Sequence, residues 1–204
     1  ALAAAAPDFA LGSVGAGRGM SCYQFKGGVG SASRLVTAGA RTYTLGALAL
    51  SNFGEMEDFT LNGQPTGAEA KKILAAEQLY EQGSCIVLIA TDAPMTARQL
   101  KRLCKRSSAG ITRTGSIIGN GSGEIAVAFS TAQRVPFDAA GELELRSVSD
   151  VHANLFFRAV IESVHEAILT SMLAAETVTG FQDHRRVSLA DLAGRVPGLN
   201  APRR

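Results

Sequence analysis

The stretch Gln82-Gly83-Ser84-Cys85-Ile86-Val87-Leu88-Ile89-Ala90-Thr91-Asp92-Ala93-Pro94 decides how this chain is read. From Cys85 to Ala90 it is an unbroken apolar run rich in β-branched residues, the pattern of a strand buried on both faces. Thr91-Asp92-Ala93-Pro94 stops the run, because proline lacks the N–H that a ladder needs. Ser84, a small nucleophile, follows a glycine at the mouth of the strand. A Gly-Ser pair in that place is ordinarily a turn. Its surroundings argue for chemistry.

Downstream, Thr96 is placed to cap a helix running to about Ser108, with Leu100, Leu103 and Cys104 on one side. A glycine-rich segment, Gly115 to Glu124, opens into a second buried strand, Ile125 to Ser130. A polar, proline-containing loop spans Arg134 to Ser147. The longest helix is expected over Asp150 to Thr179, with Val160, Val164, Ile168 and Ala175 near one stripe and Phe157 and Ile161 beside it. Gly180 ends it. Ser188 caps a last short helix to about Gly194.

Upstream, residues 11 to 33 are dense in glycine, and Met20 to Lys26 between those glycines reads as a strand. Ser31 to Val36 and Tyr43 to Ser51 read as two more, the latter closed by Asn52-Phe53-Gly54. Asn62-Gly63 has the form of a hairpin turn. Gly67 to Gln82 is made of good helix formers, and reads either as a short surface helix or as a linker into Ser84. Four apolar strands and two long helices predict helices packed on a sheet, in the α/β or α+β group.

Composition narrows the classes. The 204 residues suffice for one sizeable domain, and 46% hydrophobic with 19% charged residues is ordinary for a packed chain. A formal net charge of +2 gives no nucleic-acid footprint. Lys101, Arg102, Lys105 and Arg106 cluster on a predicted helix and read as its solvated face. Cys22, Cys85 and Cys104 lack metal-ligand spacing and read as buried thiols, so neither a metal nor an organic cofactor is expected. No apolar run reaches membrane-spanning length. Ala1 to Ala6 lacks the basic start of a signal peptide and resembles the end of a helix whose beginning is absent, which points to a fragment of a longer polypeptide. The compartment is taken as cytoplasmic, with the periplasm left open.

The glycines fit neither a dinucleotide fingerprint nor a phosphate loop. Two glycine-rich, serine-bearing segments each lead into a buried strand, and neighbouring strands would bring Ser84 and the Ser122/Glu124 pair to a common end. A serine hydroxyl needs a base within hydrogen-bond reach. His152 and His165 fall on the long helix and His184 in a loop, so a Ser-His-Asp triad has no frame. Gly121-Ser122-Gly123 leads into a strand, unlike a nucleophile elbow. Cutting the Gly83–Ser84 bond would supply a different base, a free α-amine on Ser84 with a pKa of about 7.7–8.0.

At this point the chain resembles a known family, the self-processing DmpA/BapA aminopeptidases of the L-aminopeptidase D-esterase/amidase and β-peptidyl aminopeptidase type. The matching pieces are Phe25-Lys26-Gly27-Gly28-Val29-Gly30-Ser31-Ala32-Ser33-Arg34, Asn52 in Ser51-Asn52-Phe53-Gly54, and Gly83-Ser84 leading to Ala90-Thr91-Asp92-Ala93-Pro94. Asn120-Gly121-Ser122-Gly123-Glu124 and Ala128-Phe129-Ser130-Thr131-Ala132 complete the set, in family order. The resemblance implies a four-layer αββα sandwich like the N-terminal nucleophile hydrolases. It implies one domain over 1–204, incomplete at its N-terminal side, cut between Gly83 and Ser84 into the end of a larger subunit (1–83) and a smaller one (84–204).

Roles follow from the same resemblance. Ser84 is the nucleophile, Ser122 bonds it and helps pass its proton, Glu124 orients the pair, and Asn52 donates to the oxyanion. In the family, a stretch ahead of residue 1 supplies part of the sandwich, a tyrosine of the oxyanion site and an acid that holds the substrate amine. The expected activity is removal of N-terminal residues from small peptides, amides or esters by a homo-oligomer of processed subunits. Two other readings stay open. One is acyl transfer of the ornithine acetyltransferase type, against which Ser84 argues because those enzymes use threonine. The other is a non-catalytic binding or assembly protein.

Overall fold

The computed structural model describes residues 5–75 and 83–200. Its centre is a four-stranded sheet in the order β3-β4-β5-β6, formed by Val29–Ala38, Arg41–Asn52, Ser84–Thr91 and Gly123–Ser130. Strand β4 runs antiparallel to both of its neighbours, β3 and β5, while β5 and β6 run parallel. The parallel pair needs a crossover, and α2 (Ala97–Thr112) supplies it. Two small hairpins flank the sheet: β1 (Ser21–Cys22) with β2 (Phe25–Lys26), and β7 (Val178–Thr179) with β8 (Arg185–Arg186).

The helix starts follow the sequence. Thr96 Oγ1 accepts from Gln99 N at 3.3 Å, and Gln99 Oε1 accepts from Thr96 N at 3.0 Å, a reciprocal capping box. The longest helix, α3, spans Ala153–Leu173 after a 3₁₀ turn over Asp150–His152, shorter at both ends than expected. Beyond its C-terminal end the chain is drawn off by pairing, with Val178 against Arg186 in the β7-β8 hairpin. Helix α1 occupies Thr66–Leu74 and stops at Ala75, which adopts left-handed φ 47°. The rest of the expected Gly67–Gln82 helix lies outside the described residues. Leu189–Leu192 is a 3₁₀ turn capped by Ser188.

Helices α2 and α3 pack on one face of the sheet. Leu45, Ala47 and Ala49 of β4 and Cys85, Val87 and Ile89 of β5 point into this layer and are buried with Val160, Val164, Ala167 and Ile168 of α3. A Cβ at Gly30 would stand 1.8 Å from the Ala167 carbonyl oxygen, so only glycine lets β3 lie this close to the helix. Across the same seam the Ser51 and Ser171 hydroxyls are 2.5 Å apart. The basic cluster on α2 is partly packed rather than wholly solvated, with the Arg102 and Arg106 guanidinium groups over the Phe157 ring at 5.0 and 4.1 Å.

The expectation of strands buried on both faces needs correction. Along β5 and β6 burial alternates, and Ile86, Leu88, Ile125, Val127 and Phe129 are between 39 and 58% exposed. The register pairs Ile86 with Ile125 and Leu88 with Val127, so these side chains share one open apolar face. The continuous apolar run is real, yet helices cover only one of its two sides among the described residues. Two layers, α and β, are thus described of the four expected. No helix among the described residues is long and apolar enough to cross a membrane.

Candidate active site

The β-ladders gather the site at one end of the sheet. Asn52, the last residue of β4, pairs with Ser84, the first of β5, and Ser84 pairs with Gly123, the first of β6. Asn52 and Ser84 therefore fall on the same face, beyond Leu50 and Ile86 of the open apolar side. Gly83 lies hard against β4, where a Cβ would stand 1.8 Å from the Asn52 carbonyl oxygen. Any side chain at 83 would push the Gly83–Ser84 peptide off the strand end.

Ser84 is exposed. Its Oγ donates to the Gly83 carbonyl oxygen at 2.7 Å and accepts from Gly123 N at 3.3 Å. The hydroxyl thus touches the carbonyl of the peptide unit that precedes it. On the next strand, Ser122 Oγ donates to Glu124 Oε1 at 2.5 Å, a charge-assisted bond that ties the pair together. Ser84 and Ser122 are not hydrogen-bonded to each other here; the Ser84 hydroxyl is taken up by its own peptide. Glu124 is also felt by the buried Cys85 thiol, whose pKa is driven up chiefly by burial and further by Cys22 and Glu124. A thiol held protonated in this way is no competing nucleophile.

Asn52 is oriented by a neighbour that sequence reading missed. Its Oδ1 accepts from Ser21 N at 2.9 Å, which leaves the side-chain NH₂ as the outward donor. Ser21 is itself held twice, with its Oγ donating to Phe25 O at 3.2 Å and accepting from Arg186 Nε at 3.0 Å. The β1-β2 hairpin turns through Tyr23 and Gln24, both at positive φ (51° and 64°), and Lys26 closes it. Lys26 Nζ donates to the carbonyls of Gly17, Met20 and Gly27 at 2.9, 2.6 and 2.7 Å. A lysine between Phe25 and Gly27 in an apolar, glycine-dense stretch is a visible signal for such a clamp. Nothing in the sequence marks Arg186.

Among the described residues, His152, His165 and His184 make no hydrogen bond to Ser84 Oγ, whose partners are Gly83 O and Gly123 N. Among the described residues, no group of three or more His, Cys, Asp or Glu side chains is gathered as a metal site would be.

The sheet end therefore brings a serine preceded by glycine beside an asparagine on one neighbouring strand and a Ser–Glu pair on the other. The chain belongs to peptidase family S58, whose model matches residues 1–186. It is 35% identical over 209 residues to the β-peptidyl aminopeptidase BapA of Sphingosinicella xenopeptidilytica, covering 96% of this chain and 52% of that protein. It is 40% identical over 195 residues to BapA of Sphingosinicella microcystinivorans, covering 87% and 48%. Among solved structures it superposes on the L-aminopeptidase D-Ala-esterase/amidase of Ochrobactrum anthropi with a TM-score of 0.81 at 39% identity, over 90% of this chain and 50% of the other. That enzyme is described as a prototype serine aminopeptidase and a new variant of the Ntn hydrolase fold, and this chain shares its fold. The chain spans about half the length of the relatives it matches.

Proposed function

We propose that this chain forms the nucleophile-bearing part of a self-processing serine aminopeptidase. The observation that carries the reading is the 2.7 Å hydrogen bond from Ser84 Oγ to the carbonyl oxygen of Gly83, at a peptide bond pressed against the end of β4. Attack of Oγ on the Gly83 carbonyl carbon would exchange the amide for an ester. Water would then release Gly83 as a carboxylate and leave Ser84 with a free α-amine. That amine titrates at about 7.7–8.0 in an unperturbed chain, close to working pH, and sits on the nucleophile itself.

In the cut protein the same Oγ attacks the carbonyl of a substrate's N-terminal residue and forms an acyl-enzyme. The Asn52 NH₂, fixed by Ser21, donates to the oxyanion, and Ser122 with Glu124 assists the proton transfers. Water completes the cycle. The names of the relatives support small peptides, amides or esters with a free N-terminal residue as substrates. Processed subunits assembled as a homo-oligomer complete the proposal.

Intact mass and N-terminal sequencing of the purified full-length protein test it. Two polypeptides are expected, one beginning Ser84-Cys85-Ile86-Val87, together with hydrolysis of aminoacyl amides. Ser84→Ala is expected to stay uncut and inactive. Cleavage and hydrolysis that survive Ser84→Ala would sink the assignment.

A further inference from the structure

Gly123 is the first residue of β6, and its backbone N–H reaches two atoms of the Gly83–Ser84 unit at once. It lies 3.4 Å from the Gly83 carbonyl oxygen and 3.3 Å from Ser84 Oγ. Both take part in the cleavage: Oγ is the attacking atom and the carbonyl oxygen is the one that gains charge. Eight parallel pairs, from Ser84–Gly123 to Thr91–Ser130, fix this strand end against its neighbour. The donor is therefore in place before any charge develops, which is the condition for a backbone N–H to stabilise an oxyanion effectively. With glycine at 123 the approach is open: an added Cβ would meet only Ser84 Oγ, at 3.4 Å.

We propose that the Gly123 backbone N–H is the oxyanion donor of the self-cleavage step. The proposal rests on the self-processing reading above and adds a component to it. Ser84 Oγ forms a bond to the Gly83 carbonyl carbon, and the carbonyl electron pair moves onto the Gly83 oxygen, where the Gly123 N–H meets it. Collapse of this intermediate breaks the bond from carbon to the Ser84 nitrogen, and the proton lost by Oγ ends on that nitrogen. Water then hydrolyses the ester. As the carbonyl carbon becomes tetrahedral its oxygen gains charge, so a bond that is long in the uncut chain strengthens in the transition state. Asn52 is oriented by Ser21, outside the scissile peptide, whereas Gly123 already contacts the peptide to be cut.

The test compares full-length Gly123→Pro with Gly123→Ala. Proline deletes the N–H and is tolerated at the first residue of an edge strand. Alanine keeps the N–H. The fraction of cut chain is followed by intact mass after synthesis, with circular dichroism to confirm folding. Wild type and Gly123→Ala are expected to cut, and a folded Gly123→Pro to cut about 100-fold more slowly or not at all. A folded Gly123→Pro that cuts at the wild-type rate overturns the proposal. A wild-type chain that never cuts overturns the self-processing reading instead.

Amide hydrogen exchange in the uncut Ser84→Ala protein keeps the proposal exposed should the proline variant not fold. There the Gly123 N–H has only the Gly83 carbonyl left to bond. Protection comparable to its neighbours in β6 is expected, and exchange at the rate of an unstructured glycine overturns the proposal.

Discussion

Lys26 is only 2% exposed, and its ammonium group is surrounded by carbonyl oxygens. Burial lowers its pKa, while three carbonyl acceptors favour the charged form, so the group persists as a clamp on the turn that carries Ser21. Lys26→Met should fold less stably by about 3 kcal/mol, because buried carbonyls lose a charged donor. Its remaining activity should fall mainly in kcat, since the Ser21 N–H that aims Asn52 would loosen; chemical denaturation and steady-state kinetics read the two effects separately. Asn52→Asp is the sharper probe. It keeps an oxygen for Ser21 and replaces the outward NH₂ donor with an acceptor. A loss of about 100- to 1000-fold in kcat, with processing and KM assayed alongside, is expected for a missing oxyanion donor. An Asn52→Asp enzyme within a few-fold of wild type would remove Asn52 from the reaction. Ser84, Ser122, Glu124 and Asn52 could be proposed from the sequence because each sits in a short local motif, and the ladders bring Asn52, Ser84 and Gly123 to one strand end. Ser21 and Arg186 could not, because their approach depends on Tyr23 and Gln24 adopting left-handed φ, which no rule assigns to those residue types.

At the scale of elements, Asp150 joins two helices. Its carboxylate accepts from Gln99 Nε2 at 2.9 Å, Arg98 Nη2 at 2.8 Å and Arg102 Nη1 at 3.1 Å, linking α2 to the turn that starts α3. The Gln99 bond first, and then Arg98, hold its pKa below the usual carboxylate value. The folded chain therefore binds this proton less readily than the unfolded one. The resulting stabilisation is present above the unfolded value of about 3.9 and is lost as pH falls through the lower folded value. Melting temperature should fall more steeply between pH 5 and pH 3 in the wild type than in Asp150→Asn; equal slopes would show that the carboxylate contributes nothing. Legibility differs between the ends of these elements. Thr96 announced α2 because a capping box is a local pattern. The end of α3 at Leu173 was not readable, because Val178 is drawn away by pairing with Arg186, a partner eight residues on. Tyr43 to Ser51 and Ser31 to Val36 were found inside strands β4 and β3, whose true limits are set by the turn between them.

Over the whole molecule, the apolar run at Cys85 to Ala90 predicted cover on both faces, and helices α2 and α3 provide it on one. Ile86, Leu88, Ile125, Val127 and Phe129 are left open on the other face; in the four-layer sandwich that the family resemblance implies, a second sheet would stack there at roughly 10 Å. Full burial of one such side chain is worth about 1.5–3 kcal/mol, so five partly open ones leave a strong drive toward any apolar partner. The 204 residues prepared alone should therefore bind an apolar dye and associate as concentration rises. Replacing Ile125 and Val127 together with threonine keeps β-branching and strand propensity while removing two of the three exposed large apolar side chains of the outer strand. That variant should lose most of the dye signal and sediment as a smaller species, with its circular dichroism unchanged. A wild-type chain that sediments as a dye-free monomer at all concentrations would mean that the face is self-sufficient. The second layer would then have no energetic reason to form there.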